Sequence, residues 1–331
     1  MTQGPLALGL VGCGRLAEAG YVPALAAVAA EADLRLVAVA DPDPGRRERL
    51  AGLAGDAGAG AVAAFPGAAA LFAGADVNAV VLASPAPAHV ADAERAGAAG
   101  VAALVEKPPA PDAAGAAALA ALTPPPFVGF NRRFDAGARA VRRAVPAGGP
   151  VELRLAISYR RRSWGAHAVH DDALLDLGPH LVDWARWISG REVVEVACTE
   201  LSGDRVALDL VLSGDGDSDG DDRGPGRATV RAATDRPHAE LVELRDGAGD
   251  LLARHRLGGL ASGLRGRRGP DALVASLAGQ LVAFAAAVRG EAPPDLGTAA
   301  DGHAAMTVID AARTSAADGA RPVPIPRPVE A

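Results

Sequence analysis

One lysine stands out among the residues that could do chemistry. Of the 33 basic residues, 32 are arginine, and Lys107 is the single lysine. Lysine is a compact donor whose pKa can be tuned, whereas arginine stays protonated. In a chain so rich in arginine, a retained lysine indicates either a catalytic position or chance retention at the surface. Lys107 follows the apolar run VAALVE, and this place at the carboxyl end of a predicted strand favours the catalytic interpretation, because ligands bind at that edge of open α/β sheets.

A second candidate is the pair Asp176 and His180 in the segment LLDLGPHLVDW. A spacing of four residues brings two side chains together on a helix, and a carboxylate that orients an imidazole is the usual preparation of a general base. Pro179 leaves two alternatives open. The helix starts near Gly178, or it continues through the proline with one hydrogen bond missing. The competing interpretation is a helix-capping aspartate beside a buried histidine.

The third pattern is Gly12-Cys13-Gly14-Arg15-Leu16-Ala17, a G-x-G-x-x-A motif between a predicted strand and a predicted helix. Gly12 permits a tight turn, Gly14 lets a pyrophosphate approach the backbone, and small Ala17 lets the helix pack on the strand. Phosphates would then lie at the N-terminus of the helix. The pattern predicts a dinucleotide-binding site.

Asp41 comes at the end of the second predicted strand, where a carboxylate can bind the ribose hydroxyls of the adenosine. Its charge would repel the 2′-phosphate of NADP, which favours NAD, although Arg46 and Arg47 nearby weaken that inference. NAD is therefore the preferred cofactor and NADP the alternative. The predicted cofactor-binding residues are Gly12, Gly14, Arg15, Leu16, Asp41, Ser84, Pro85, His89, Glu106 and Lys107.

The elements that must position these residues change in character along the chain. Short apolar runs at 6–12, 34–40, 77–84 and 101–108 alternate with alanine-rich helical stretches, which predicts parallel strands with crossover helices. After about residue 130, successive strands are predicted with one helix near 173–189, which is typical of an antiparallel or mixed sheet.

The predicted fold class follows from this change. It is an α/β N-terminal Rossmann domain with a doubly wound parallel sheet, followed by an α+β C-terminal domain with an open, largely antiparallel sheet. We place the dinucleotide-binding domain at 1–128 and the substrate-binding and oligomerisation domain at 129–331, with the closing helix able to pack back on the first domain.

Composition excludes several classes of function. The formal charge of −7 argues against nucleic-acid binding, and no apolar run is long enough for a membrane span. Cys13 and Cys198 are too few for a disulfide framework, and no secretory signal is seen, so a cytoplasmic protein is expected.

No metal site is predicted. The acidic loop 213–227 lacks a glutamate where a calcium loop needs one, and the residues around His167 fit no tetrahedral pattern.

The assembled motifs resemble those of the Gfo/Idh/MocA family of oxidoreductases over nearly the whole chain. GLVGCGRLAEAGYVPAL, LVAVADPDP, VVLASPAPAHV, VEKP, GFNRRF and LLDLGPHLVDWARW occur in the family's order and spacing. The resemblance implies that Lys107, Asp176 and His180 lie around the nicotinamide and the substrate, and that the protein is a homodimer or homotetramer. Two departures concern the loops: Asp171 and Asp172 stand where the family often has glycines, and Ala86 stands where it often has asparagine.

The resemblance predicts an NAD(P)-dependent oxidoreductase that transfers a hydride between nicotinamide and a secondary alcohol or ketone of a sugar, cyclitol or nucleotide-sugar-like substrate. The catalytic residues are then Lys107, Asp176 and His180, and either Lys107 or His180 accepts the proton. The alternatives are a non-catalytic NAD(P)-binding regulator of the same fold and a reductase of imines or double bonds. Candidate substrate contacts are Asn131, Arg162, Trp164 and His167.

Overall fold

A computed structural model describes residues 4–161, 171–214, 224–258 and 271–326. The strands are β1 (Leu6–Val11), β2 (Leu34–Ala40), β3 (Ala63–Phe65), β4 (Ala79–Leu82), β5 (Ala102–Glu106), β6 (Phe127–Gly129), β7 (Val151–Arg160), β8 (Val193–Leu201), β9 (Arg205–Leu212), β10 (Gly226–Ala233), β11 (Asp235–Asp246), β12 (Leu251–Gly258), β13 (Gly297–Thr298) and β14 (Val323–Pro324).

The α-helices are α1 (Val22–Val28), α2 (Pro44–Ala54), α3 (Ala68–Gly74), α4 (His89–Ala98), α5 (Ala113–Ala120), α6 (Ala136–Arg143), α7 (Ala173–Ser189), α8 (Ala272–Val288) and α9 (Ala299–Ala317). A π-helical turn, Ala17–Tyr21, leads directly into α1. Such turns are rare and occur often at functional sites.

Packing divides the chain into two compact units. One contains Met1–Phe134 and Pro270–His303, and the other contains Asp135–Gly269 and Ala304–Ala331. The sequence predicts that 129–331 forms the second domain, with a closing helix able to pack back on the first domain, whereas α8 belongs to the first unit. The physical reason is that Leu277, Leu281 and Phe284 of α8 are buried in the same core as the leucines of β1.

The first unit is built on a sheet with the strand order β13-β6-β5-β4-β1-β2-β3. All pairs from β3 to β6 are parallel, and only β13 is antiparallel to its neighbour. Residues along β4 alternate between two cores: Val81 packs with the side that holds α1 and α8, and Val80 and Leu82 with the side that holds α3 and α4. The sheet is therefore doubly wound, and its order reverses between β1 and β4, where ligands bind in such sheets.

The second unit contains a sheet with the order β12-β11-β7-β10-β9-β8-β14. Only β7 and β10 pair in parallel, and the other pairs are antiparallel. Helix α7 packs on β7, β9 and β10. On these strands, residues such as Leu153, Leu208 and Val230 are buried, while Arg154, Asp209 and Arg231 between them are exposed. The predicted fold class, a Rossmann domain followed by an α+β domain, is confirmed.

Helix α7 resolves the alternative left open by Pro179, because it runs unbroken from Ala173 to Ser189 with the proline inside. The side chain of Asp172 accepts a hydrogen bond of 2.9 Å from the Leu175 N–H and so caps the helix. Arg313 of α9 holds the same carboxylate through two nitrogens, at 2.7 and 3.1 Å. The aspartate that replaces a glycine of the family pattern thus starts the helix of Asp176 and His180.

Candidate active-site residues in the two units

The turn after β1 is shaped by two glycines with different surroundings. Gly12 has a φ of +94°, and a Cβ there would lie 2.5 Å from the carbonyl carbon and oxygen of Ala83. Backbone strain and a clash with backbone atoms therefore both exclude a side chain at this position. A Cβ at Gly14 would meet nothing within 4 Å. Gly12 is needed for the turn itself, whereas Gly14 leaves an open space beside the backbone.

Asp41 joins this turn to the end of β2. Its Oδ2 accepts a hydrogen bond of 2.9 Å from the Cys13 N–H, and its Oδ1 accepts one of 2.9 Å from the Asp43 N–H. Each carboxylate oxygen keeps a further lone pair that can accept from a ribose hydroxyl. The guanidinium of Arg47 donates to the backbone oxygens of Asp41 and Pro42, each at 3.2 Å.

Beside the carboxylate lies the thiol of Cys13, which is fully buried. Burial, with the negative charge of Asp41 as the next cause, raises the pKa of this thiol to about 12. The thiol therefore stays protonated and unreactive at neutral pH. Cys13 therefore acts in the glycine motif through its backbone N–H, which donates to Asp41, and not through a reactive thiol.

His89 connects two loops at the carboxyl edge of the sheet. Its Nε2 lies 2.7 Å from the Ser84 carbonyl oxygen after β4, and its Nδ1 lies 3.2 Å from the Pro109 carbonyl oxygen after β5. Burial lowers the pKa of the imidazole, which favours the neutral ring, and a neutral ring can donate to one of the two carbonyl oxygens. The sequence predicts a cofactor contact for His89, and the structure places both ring nitrogens against the backbone of the loops.

These residues fit a bound dinucleotide. The buried hydroxyl of Ser84 has no hydrogen-bond partner among the described residues, and Gly14 leaves room for a phosphate to approach the backbone. Arg15 is exposed, Leu16 is half-buried and Pro85 is exposed, so these neighbours also border solvent at this edge. Gly12, Gly14, Ser84 and Asp41 could hold the cofactor here, with Asp41 on the ribose of the adenosine.

Glu106 ends β5 at the same edge of the sheet, and Lys107 follows it directly. The carboxylate of Glu106 is 5% exposed and accepts a hydrogen bond of 2.5 Å from the hydroxyl of Tyr21. Its other oxygen accepts the Lys107 backbone N–H at 3.0 Å. Burial raises the pKa of Glu106, while the Tyr21 hydrogen bond and the charge of Lys107 oppose that rise. Lys107 itself is half-buried.

Asn131, a candidate substrate contact, lies just after β6 and is 7% exposed. Its side-chain nitrogen donates to the Ser276 hydroxyl of α8 at 2.8 Å. Next to it, the Arg133 guanidinium lies 3.1 Å from the carboxylate of Asp301. These contacts tie the end of the parallel sheet to the segments that return from later in the chain.

In the second unit, Asp176 and His180 lie one turn apart in α7, and both are buried. The Asp176 carboxylate accepts a hydrogen bond from the hydroxyl of Tyr159 on β7. The Arg161 guanidinium lies 3.7 Å from the same carboxylate oxygen. Burial, and next to it the charge of Asp176, raises the pKa of Tyr159, so the phenol stays a donor.

Tyr21, Tyr159 and Gln280 are the site neighbours that the sequence analysis missed. Composition could have indicated the two tyrosines, because they are the only ones in the chain, just as Lys107 is the only lysine. Arg162, Trp164 and His167, the other predicted substrate contacts, lie outside the described residues.

Within residues 4–161, 171–214, 224–258 and 271–326, no group of three or more His, Cys, Asp or Glu side chains is arranged to hold a metal ion. None of the helices in these ranges has the length and apolar character that crossing a bilayer requires.

Comparison with known proteins gives consistent matches. Residues 6–124 match the family model GFO_IDH_MocA, described as an oxidoreductase family with an NAD-binding Rossmann fold. A myo-inositol dehydrogenase of Streptomyces leeuwenhoekii is 32% identical, and the match covers 96% of this chain and 99% of that protein. An inositol 2-dehydrogenase of Rhizobium meliloti is 34% identical over 64% of this chain, and this match spans 62% of that protein's length.

A solved structure shares the fold of the described chain. It is a myo-inositol dehydrogenase of Lactobacillus casei in complex with NAD(H) and myo-inositol, and it superposes with a TM-score of 0.76. The match covers 99% of this chain and 98% of that one, at 20% sequence identity. At this identity the likeness concerns the fold.

The two glycines of the turn should respond differently to alanine. Gly12→Ala forces a side chain into a positive-φ position against the Ala83 backbone, and we expect the free energy of unfolding to fall by about 1–3 kcal/mol. Gly14→Ala meets open space, so its stability should change by less than about 0.5 kcal/mol. The Gly14 variant should nevertheless bind NAD at least ~10-fold more weakly, because the Cβ occupies the space of the pyrophosphate. Urea unfolding and calorimetric titration measure both effects, and unchanged NAD affinity in Gly14→Ala would contradict the assignment.

Asp41 should determine the choice between NAD and NADP. The unmodified protein should bind NAD more tightly, and Asp41→Asn should weaken NAD binding by ~10-fold or more, because a charged hydrogen-bond acceptor is lost. The NADP affinity should fall less, so the preference narrows. Asp43→Asn is the matched control, since it removes the same charge from an exposed side chain two residues away. Tighter NADP binding by the unmodified protein would shift the assignment to Arg46 and Arg47.

Proposed function

The chain belongs to the Gfo/Idh/MocA family of oxidoreductases, and from that membership we propose that it is an NAD-dependent dehydrogenase that oxidises a secondary alcohol of a cyclitol such as inositol. One observation carries the proposal. The similarity to the Streptomyces myo-inositol dehydrogenase covers 99% of that protein, so it extends across the segment of Lys107 and the segment of Asp176 and His180. A relative that shared only the cofactor domain would support the cofactor but not the substrate.

The chain's own residues divide the work of binding and proton transfer. NAD, when bound, supplies the hydride acceptor. Gly12, Gly14, Ser84 and Asp41 hold the dinucleotide, and the N–H groups at the start of the helical segment after Gly14 face its phosphates.

For the substrate we assign three roles. His180 takes the proton of the reacting hydroxyl as a general base. Lys107 donates a hydrogen bond to the same oxygen and stabilises the negative charge that develops there. Asp176 lies one helical turn from His180 and stabilises the imidazole when it gains the proton. Exchange of the two proton roles, with Lys107 as the base, is the alternative.

A polyhydroxylated substrate suits these groups, because each has a polar hydrogen-bonding atom that can contact a ring hydroxyl. Within that class we propose a cyclitol ahead of a sugar or a nucleotide sugar, since both relatives compared above in sequence are named as inositol dehydrogenases. Assembly as a homodimer or homotetramer stays a prediction.

The test is to supply NAD with a panel of inositols, sugars and nucleotide sugars and to follow the absorbance of reduced nicotinamide. Turnover with inositols supports the proposal. NAD binding without turnover of any alcohol favours the regulator, and consumption of separately supplied NADH with imines or activated double bonds favours the reductase.

Lys107→Arg examines the mechanism within that experiment. The variant keeps a positive charge but replaces a compact ammonium with a larger, permanently protonated group. We expect kcat to fall by ~10²-fold or more while NAD binding is retained, as for the loss of an acid–base or oxyanion contact. Full activity of the variant would contradict the role of Lys107, though not NAD binding.

Arg35→Lys is the matched control, because it makes the converse exchange at an exposed position of β2. Its turnover should equal that of the unmodified protein. Amine-specific labelling of the unmodified protein reports on Lys107, because it is the only lysine, and Arg35→Lys provides a second lysine for comparison. NAD and substrate together should protect Lys107 and leave the new lysine at position 35 reactive.

A further inference from the structure

The chain contains two tyrosines, and the structure places each hydroxyl against a buried carboxylate. Tyr21 donates to Glu106, and Tyr159 donates to Asp176. Each of these carboxylates belongs to one of the two segments that hold the proposed catalytic residues. Glu106 directly precedes Lys107, and Asp176 lies four residues before His180. A residue type used twice, both times on such a carboxylate, points to a shared role.

In the first unit the direction of the hydrogen bonds is determined by a third side chain. The Gln280 side-chain nitrogen of α8 donates to the Tyr21 hydroxyl oxygen at 3.2 Å. Because that oxygen accepts from Gln280, its own proton goes to Glu106 Oε1, at 2.5 Å. Tyr21 and Gln280 are fully buried. Water therefore does not replace these bonds, and the carboxylate is held on one side by Tyr21 and on the other by the Lys107 N–H.

In the second unit the phenol has a cationic neighbour. Tyr159 lies near the end of β7 and reaches Asp176 Oδ2 on α7. The Arg161 guanidinium, two residues further along the chain, lies 3.7 Å from the same oxygen. The phenol therefore donates the hydrogen bond that orients Oδ2 on the helix, and the guanidinium adds a positive charge near the same oxygen.

We propose that Tyr21 and Tyr159 are positioning residues for the reaction. Tyr21 fixes the orientation and charge of Glu106 beside Lys107, and Tyr159 fixes those of Asp176 one turn before His180. The kinetic part of this inference rests on the proposed function. The geometric part, two phenols that donate to buried carboxylates, does not.

The geometric part is tested by tyrosinate absorbance during alkaline titration. Burial and the adjacent carboxylates raise the pKa of both phenols. The native protein should therefore show no tyrosinate near pH ~10, where an ordinary tyrosine titrates, and the unfolded protein should show two per chain. In Tyr159→Phe the remaining tyrosinate absorbance comes from Tyr21, and in Tyr21→Phe it comes from Tyr159. Two native tyrosines that ionise near pH ~10 would overturn the proposal.

The kinetic part is tested with the same two variants. A Phe ring has the shape of the Tyr ring, so each variant removes only a hydroxyl, and each serves as the control for the other. Each variant should lose ~10-fold or more in kcat, the effect of one hydrogen bond to a charged group, with NAD affinity unchanged. Combining Tyr159→Phe with Asp176→Asn should add little to the loss from Asp176→Asn alone, because the two residues act as a pair.

The Tyr21→Phe variant also has a pH signature. The hydroxyl of Tyr21 lowers the pKa of Glu106 and so opposes the rise that burial causes. Without that hydroxyl the pKa of Glu106 should be higher, and Glu106 should take up a proton at a higher pH. The acidic limb of the kcat profile should therefore move to higher pH in Tyr21→Phe. Unchanged kcat and unchanged pH profiles in both variants would overturn the proposal. If instead the tyrosines titrate as expected but no polyol is oxidised by the unmodified protein, the proposed function fails and the geometry stands.

Discussion

Three carboxylates kept away from water impose the constraint on which the functional residues depend. Asp41, Glu106 and Asp176 are each less than a tenth exposed. A buried charge costs several kcal/mol unless donors replace the lost water. The donors differ in each case: two backbone N–H groups for Asp41, a phenol and a backbone N–H for Glu106, and a phenol for Asp176, which also has the charge of the Arg161 guanidinium 3.7 Å away. Each carboxylate thereby fixes the position of the backbone or helix that contains a proposed functional residue.

The parallel sheet explains why two of these carboxylates lie at one edge. Asp41 follows β2 and Glu106 ends β5, and the carboxyl ends of parallel strands share an edge. The reversal of strand order between β1 and β4 brings Gly12 against Ala83, and only glycine allows that approach. His89 then connects the loops after β4 and β5. Family, fold class and the NAD cofactor, all predicted from the motifs, are confirmed.

Local pattern was sufficient for much of the fold. The apolar run LRLVAVA predicts β2 with the bounds that the structure has, and the apolar stripe that includes Leu174, Leu181 and Trp184 predicts a helix near 173–189, although Pro179 left its start open. Helix α6 was missed, because its segment AGARAVRR has only eight residues and its buried face consists of the small side chains Ala138 and Val141. The π-helical turn was also missed, since one extra residue in a turn leaves little trace in the sequence.

The site was predictable only where its residues form motifs. Gly12, Gly14, Asp41 and Lys107 each stand in a recognisable local context, whereas Tyr21 lies 85 residues from Glu106 and 259 from Gln280. Such a contact is created by packing α1 and α8 on the sheet, and no spacing rule anticipates it. For Pro179, local rules gave two answers. The structure has the longer helix, which begins after its cap at Asp172, and that cap is held by Arg313, 141 residues away in the chain.

The central claim, that this chain oxidises a cyclitol alcohol with NAD, is tested most directly by following the hydrogen itself. The measurement uses inositol with deuterium at its ring carbons and identifies the label in the reduced cofactor by mass spectrometry. The account predicts one deuterium on the nicotinamide ring for each inositol oxidised, and a slower rate than with unlabelled inositol. Reduced cofactor without the label, or NAD binding with no reduction by any inositol, would contradict it.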